Sequence, residues 1–364
     1  MERAHAVALV AILVGSGLKA GPPARDRLSF EVDGYLESEL KKGQIPGVSI
    51  AIVRDGQTLV IRGYGVRSEA TSEPMTGDTL VDLASVSKSF LGIAIRQLQS
   101  SGYVKLNRPV KAYLPEFRIE GPGSASGRIS VRHLLEHTSG LTRQSDMLVP
   151  CCGQPEEFDL RVAVQKLQAA RARHTPGKEF SYANCNYVLL AAIVERVSGM
   201  KFPEYMEQRV FAPLGMRRTT LDWSRARGLG LADPHDAQGR EMPPNSRHFF
   251  GWYGSSMVRS NASDMALYLK SLLASGSESD FAVRHWLRSG MERPYEWGWF
   301  VLPRSSRRLA PIVEHGGNLP GVNTAIVLAP HANAGVAVLI NSGGDRARMI
   351  GRELLGRVLG FRLF

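Results

Sequence analysis

GVSIAIVRDGQTLVIRGYG, residues 47–65, holds two apolar runs joined across Asp55-Gly56. An Asp-Gly pair between β-branched runs predicts a hairpin, because both turn positions need a positive φ that Asp and Gly tolerate. Upstream, Phe30 to Lys42 carries helical spacing. Near the other end, EWGWFVL (296–302), VNTAIVLA (322–329) and GVAVLIN (335–341) read as strands separated by Gly, Pro and Asn, and a helix over 346–358 closes the chain. Between them lie a helix over 83–98, then helical segments broken by Pro and Gly, of which 187–197 is the clearest. Strands at both ends with helices between them predict an α/β (α+β) fold: an antiparallel sheet flanked by helices, built from both chain ends, with an inserted mainly helical lobe. The sheet lobe takes 25–105 and 285–364 and the helical lobe 106–284, with a cleft between them.

The 364 residues are 43% hydrophobic, enough for a large core. The net charge of +11 is scattered. Its clusters, Arg304, Arg307 and Arg308, and then Arg346, Arg348, Arg352 and Arg357, read as solvated faces, and no run interleaves aromatic and basic residues as a nucleic-acid site would. MERAH, the apolar Ala6 to Val14 and GSGLKAGPPA have the layout of a secretory leader over residues 1–20, which predicts a periplasmic or secreted bacterial protein. Nine apolar residues cannot span a bilayer, and no later segment is apolar enough for a membrane helix. Three cysteines, Cys151, Cys152 and Cys185, are too few for a disulfide framework.

Ser-x-x-Lys occurs four times, at Ser16/Lys19, Ser38/Lys41, Ser85/Lys88 and Ser198/Lys201. Only Ser85 follows a strand-like run, TLVDLA, and opens an apolar helix, SFLGIAI, so that Lys88 falls one turn later on the same face. A serine hydroxyl needs a base to become a nucleophile, and burial at a helix start pushes a lysine toward the neutral amine that can serve. Alone, the pair would read as a helix cap and a surface lysine. Tyr182-Ala183-Asn184 precedes the next apolar helix. A Tyr hydroxyl near a lysine can be held partly ionised, take the serine proton and return it to a leaving group, while Asn184 offers an amide to a substrate carbonyl. Third comes Glu314-His315-Gly316-Gly317-Asn318, just before VNTAIVLA. Its glycines admit a ligand to the backbone, the amides of Ser85 and Asn318 could form an oxyanion hole, and His315 would move protons or bind a substrate carboxylate.

The order S-x-x-K, Y-x-N, H-G-G resembles the serine β-lactamase and penicillin-binding protein superfamily. IPGVSIAIVRDG, LLEHTSGL, PLGM (213–216) and HGGNLPGVNTAIVLAP resemble its class C β-lactamase branch, over roughly residues 28 to 345. The resemblance implies a metal-free, cofactor-free serine hydrolase with a β-lactamase/transpeptidase-like fold. Ser85 would be the acylated nucleophile, Lys88 and Tyr182 the proton-handling pair, and Asn184, His315 and Gly317 the substrate contacts. His315-Gly316-Gly317 stands where class C enzymes carry Lys-Thr-Gly. That is more similar to D-alanyl-D-alanine carboxypeptidases, D-aminopeptidases and esterase-like relatives, so a D-amino-acid peptide or small ester is the expected substrate of a monomeric enzyme. A true β-lactamase and a non-turnover β-lactam sensor are the alternatives. His133-Leu134-Leu135-Glu136-His137 also matches the inverted zinc-peptidase pattern, but Thr138-Ser139-Gly140 ends that helix at once and no third ligand is evident.

Overall fold

A computed structural model describes residues 24–122, 125–149, 159–243, 252–274, 295–302 and 311–360. The expected leader, Cys151, Cys152 and the Arg304 to Arg308 cluster lie outside them. Helix α1 (Ala24–Gly43) leads into the predicted hairpin of β1 (Gly47–Arg54) and β2 (Gln57–Ser68), turned by Asp55 and Gly56 at φ 50° and 73°. After β3 (Glu73–Pro74) and β4 (Val81–Asp82), a 3-10 turn (Ala84–Val86) feeds α2 (Ser87–Ser100). The middle of the chain supplies α3 (Ala125–Arg128), α4 (Val131–Leu135), α5 (Arg143–Asp146), α6 (Leu160–Leu167) and α7 (Asn184–Ser198). Then come α8 (Phe202–Tyr205), continued as a π-helical turn over Met206–Phe211, and α9 (Trp223–Gly228). Strand β5 (Arg259–Ser260) pairs with β4 and opens α10 (Ala262–Leu273). The chain ends with β6 (Tyr295–Glu296), β7 (Trp299–Leu302), β8 (Ile312–Leu319), β9 (Val322–Ala329), β10 (Ala334–Ile340) and α11 (Arg346–Leu359).

The eight-stranded sheet runs β3-β2-β1-β10-β9-β8-β7-β6, antiparallel throughout. The hairpin meets the C-terminal strands at its centre, where Ile50 faces Val338 and Ile52 faces Val336. β1 and β10 are apolar at consecutive positions because both faces are covered. Val48, Ile50 and Ile52 join Val338, Val32, Leu36, Ile350 and Leu354 under α1 and α11. The alternate residues Ala51 and Val53, with Ala337 and Leu339, face Leu269, Leu272 and Leu273 of α10. Helix α10 therefore packs on the sheet although its sequence lies within the 106–284 span. Each fully buried Val, Leu or Ile contributes about 1.5–3 kcal/mol.

Helix α2 is buried over its first three turns and joins the two halves, with Phe90 stacked on Tyr268 of α10 at 4.0 Å and edge-on to Phe211 at 5.6 Å. Two glycines let strands press on its start. A Cβ at Gly298, in the β6–β7 turn, would lie 2.6 Å from the Lys88 carbonyl carbon, and one at Gly317 in β8 would lie 2.3 Å from the Leu83 oxygen. The His-Gly-Gly segment thus belongs to a strand of its own, β8, that packs against the serine-bearing turn.

Candidate active site

Ser85 sits in the 3-10 turn, and α2 proper begins two residues later, at Ser87, rather than at the predicted start at Leu83. Close packing holds the turn. The Leu83 oxygen accepts from Thr324 Oγ1 at 2.8 Å, the Leu83 amide donates to Val258 O at 2.8 Å, and the Val258 amide donates to Ser87 Oγ at 3.0 Å. Ala84, immediately before the serine, has φ 49°, a left-handed conformation that costs a non-glycine residue roughly 1–2 kcal/mol. Strain of this kind persists only where the surroundings over-determine it.

Lys88 is fully buried. Its Nζ lies 3.1 Å from Ser85 Oγ, 2.8 Å from Asn184 Oδ1 and 2.9 Å from the Ser255 carbonyl oxygen. The last two atoms only accept, whereas a hydroxyl also donates. A neutral amine therefore fits all three contacts, with its two N–H bonds on Asn184 and Ser255 and its lone pair toward Ser85. Burial pushes the Lys88 ammonium down to about 7, with Asp146 opposing the shift and Arg143 adding to it.

Tyr182 joins from the other side, lining the same cleft as Ser85 with its ring centroid 4.9 Å from Lys88 Nζ. Burial raises its phenol above the usual tyrosine value, while Ser85 and Arg143 pull it back. Of the two groups, the lysine rather than the tyrosine is moved toward the basic form at neutral pH. Asn184, the first residue of α7, lines the same cleft.

His315 is also buried. Its Nδ1 lies 2.7 Å from Gly316 O and therefore carries the proton, leaving Nε2 to accept from the Tyr295 hydroxyl at 3.2 Å. Burial, reinforced by Lys88, pushes the imidazole down to about 3. The expected carboxylate contact or proton carrier is here a neutral ring with both nitrogens engaged inside the protein. The cation at this wall is Arg348 of α11. Its side chain occupies the space that a Cβ on Gly316 would enter, 3.0 Å from Arg348 Cδ. The arginines of α11 depart from the solvated-face reading. Arg352 makes two bonds, at 2.6 and 2.7 Å, to buried Glu314, Arg348 lies 3.9 Å from the same carboxylate, and Arg357 covers the Tyr35 ring at 4.8 Å.

These residues surround a cleft of about 670 Å³. Ser85, Gly317 and Asn318 line it, so the two proposed oxyanion amides belong to residues facing one space, and Asn318 is anchored by its side-chain donation to Gly344 O at 2.6 Å. Met147, Val149, Trp252, Phe300 and Leu319 make its apolar walls. The segments 144–149 and 252–257 contribute Asp146, Met147, Val149 and Trp252 to its lining. Sequence reasoning missed Arg143, Asp146, the Ser255 carbonyl and Tyr295. The carbonyl left no side-chain signal to find.

His133 and His137 serve local structure. His133 closes the capping box of α4 with Ser130, while buried His137 accepts through Nδ1 from the Ala183 amide at 3.3 Å and from Asn186 Nδ2 at 3.0 Å. Among the described residues no group of three or more His, Cys, Asp or Glu could hold a metal ion, and no helix is long and apolar enough to cross a membrane. Cys185 is a buried free thiol.

The beta-lactamase family model matches residues 32–358. Among curated proteins the chain is similar to Protein flp of Staphylococcus aureus strain MW2, 27% identical over 323 residues, which are 86% of this chain and 63% of that protein. The chain thus spans less than two thirds of that relative's length. It is also similar to Esterase EstB of Burkholderia gladioli, 30% identical over 199 residues, covering 52% of this chain and 50% of the esterase. Among solved structures, the octameric penicillin-binding protein homologue from Pyrococcus abyssi superimposes with a TM-score of 0.76 at 25% identity, over 92% of this chain and 78% of that one.

Proposed function

The chain belongs to the beta-lactamase family, and from that membership we propose that it hydrolyses an ester or amide through an acyl group carried on Ser85. The observation that carries this reading is the buried Lys88 amine, whose two acceptor partners leave its lone pair to Ser85 at 3.1 Å. As Ser85 Oγ bonds to the substrate carbonyl carbon, its proton passes to Lys88 Nζ. The carbonyl oxygen takes up the negative charge between the backbone amides of Ser85 and Asn318. When the bond to the leaving group breaks, a proton returns through Lys88 and the protonated Tyr182 hydroxyl to the departing oxygen or nitrogen. Water then repeats the sequence on the acyl-Ser85 ester, giving its proton to the same pair and releasing the acid.

The apolar walls suit an apolar acyl or alcohol group, and the esterase name of the Burkholderia relative supports the ester reading. Arg348 favours a second class, D-amino-acid peptides with a free carboxylate, since a guanidinium binds that group more firmly than the neutral His315. The leader-like first 20 residues support export, which cell fractionation tests.

Intact mass spectrometry after treatment with a fluorophosphonate and with a fluorescent penicillin tests the mechanism. The wild type should gain one adduct and Ser85→Ala none. An adduct surviving the substitution would remove Ser85 from its role, and a penicilloyl adduct that never turns over would turn the reading toward a sensor. A panel of short acyl esters, D-Ala-D-Ala peptides and nitrocefin ranks the substrates. Fastest turnover of nitrocefin would make the protein a true β-lactamase.

A further inference from the structure

We propose that Asp146 is a positioning residue of this site, clamping the first turn of α7 and supplying the negative charge against which Lys88 holds the proton taken from Ser85. The inference rests on the Ser85–Lys88 reading above. Asp146 is 7% exposed, at the end of the single-turn helix α5. Its Oδ1 accepts from the Cys185 amide at 2.8 Å and its Oδ2 from the Asn184 amide at 3.1 Å. These are the first two amides of a 15-residue helix whose own N-cap, Ala183, has no side-chain acceptor to offer. The carboxylate therefore does from another loop what a capping Ser or Asp does locally, and its charge meets the positive end of the helix.

The clamp leads straight to the base. Asn184, held through its amide, accepts from Lys88 Nζ through its side chain at 2.8 Å, so any swing of the α7 start would carry that acceptor away. Among the described residues, the ionisable groups facing Lys88 are Asp146 and Arg143 from α5, His137 beyond α4, His315 from β8, and the rings of Tyr182 and Tyr187. Burial keeps both imidazoles neutral at ordinary pH and raises both phenols. Among these groups Asp146 is the carboxylate, raised by burial but drawn back toward the anion by the Cys185 and Asn184 amides and by Lys88, and Arg143 is the opposing cation. When the Ser85 proton arrives, a neutral amine becomes an ammonium with no solvent access, and the nearby carboxylate offsets part of that cost. A cap without an electrostatic role would steady α7 and leave the basicity of Lys88 unchanged.

The test follows the rate of fluorophosphonate labelling of Ser85 from about pH 5 to pH 9, with the fold of each variant checked by near-UV circular dichroism. In Asp146→Asn the acid limb should move down by about one pH unit, the shift expected when an opposite charge is removed, with slower labelling on the plateau. Asp146→Ser, which keeps a hydroxyl to accept from α7, should move it the same way. Asp146→Glu should restore the wild-type limb, and Arg143→Met, which leaves the clamp intact, should move it upward. A folded Asn or Ser variant whose limb stays at the wild-type pH would overturn the proposal, as would an unmoved limb in Arg143→Met should both neutral variants fail to fold. Absence of Ser85 labelling in the wild type would instead refute the nucleophile itself.

Discussion

Replacing Lys88 by Met removes a fully buried amine and keeps most of its length. In the folded protein the ammonium is pushed from the usual 10.5 down to about 7, so between those two values the unfolded chain binds a proton that the folded chain refuses. The folded pKa lies below the unfolded one, so wild-type stability rises with pH across this window and is lowest below it. The shift corresponds to a cost of about 4 kcal/mol at pH 7 that shrinks to about 1 kcal/mol at pH 10. Met escapes this cost, but it leaves Asn184 Oδ1 and the Ser255 carbonyl without the donors they have at 2.8 and 2.9 Å. Each loss costs about 1–3 kcal/mol at any pH. The absolute difference between the two proteins at pH 7 is therefore small, and the pH dependence is the diagnostic. Urea unfolding of both proteins at a series of pH values should show the variant's relative stability falling by about 3 kcal/mol from pH 7 to pH 10. A difference that stays flat would mean that the amine keeps an ordinary pKa in the folded state, and the neutral-base mechanism would fall with it.

Arg348→Met should raise KM by about 10-fold or more for substrates bearing a carboxylate, from the loss of a charge-assisted bond, and leave neutral esters nearly unchanged. Steady-state kinetics on matched pairs checks this, and equal losses on both would remove Arg348 from substrate binding. Arg352→Met takes away both hydrogen bonds that Glu314 receives from Arg352 at 2.6 and 2.7 Å. With Arg348 still 3.9 Å from that carboxylate, the loss should fall at the lower end of the roughly 3–5 kcal/mol expected when a buried pair is broken. Urea unfolding measures it, and pairing the change with Glu314→Gln should recover part of the loss.

The hairpin at Asp55-Gly56 was legible because its turn chemistry is local, and the apolar runs of β9 and β10 marked themselves for the same reason. Nothing local says that β10 lies beside β1, because that contact joins residues at opposite ends of the chain. Ser85, Lys88, Tyr182, Asn184 and His315 could be singled out by the company each keeps in sequence, and the fold brings them to one cleft. The decoy Ser198 instead donates its hydroxyl to Val194 O within its own helix. Arg348 was hidden among evenly spread arginines on α11, since its access to the cleft depends on Gly316, a residue with no side chain to signal anything. Asp146 acts across a loop on backbone amides, a relation that residue spacing does not encode. His315 was recognised by type, but its charge state follows from burial reinforced by Lys88, and its Nε2 is engaged by Tyr295, which only the assembled sheet supplies.

Placing the first hairpin against the last strand also sets an order in time. The turn that carries Ser85 takes its support from β8 and β9, through Gly317 packing on Leu83 and Thr324 bonding to its oxygen. During synthesis the serine emerges long before those strands exist, and contacts between such distant segments form late and slowly. Until then the left-handed Ala84 lacks the part of its support that β8 and β9 supply. With Ser85 as the proposed nucleophile, acylating power should therefore arrive together with closure of the sheet rather than grow with chain length.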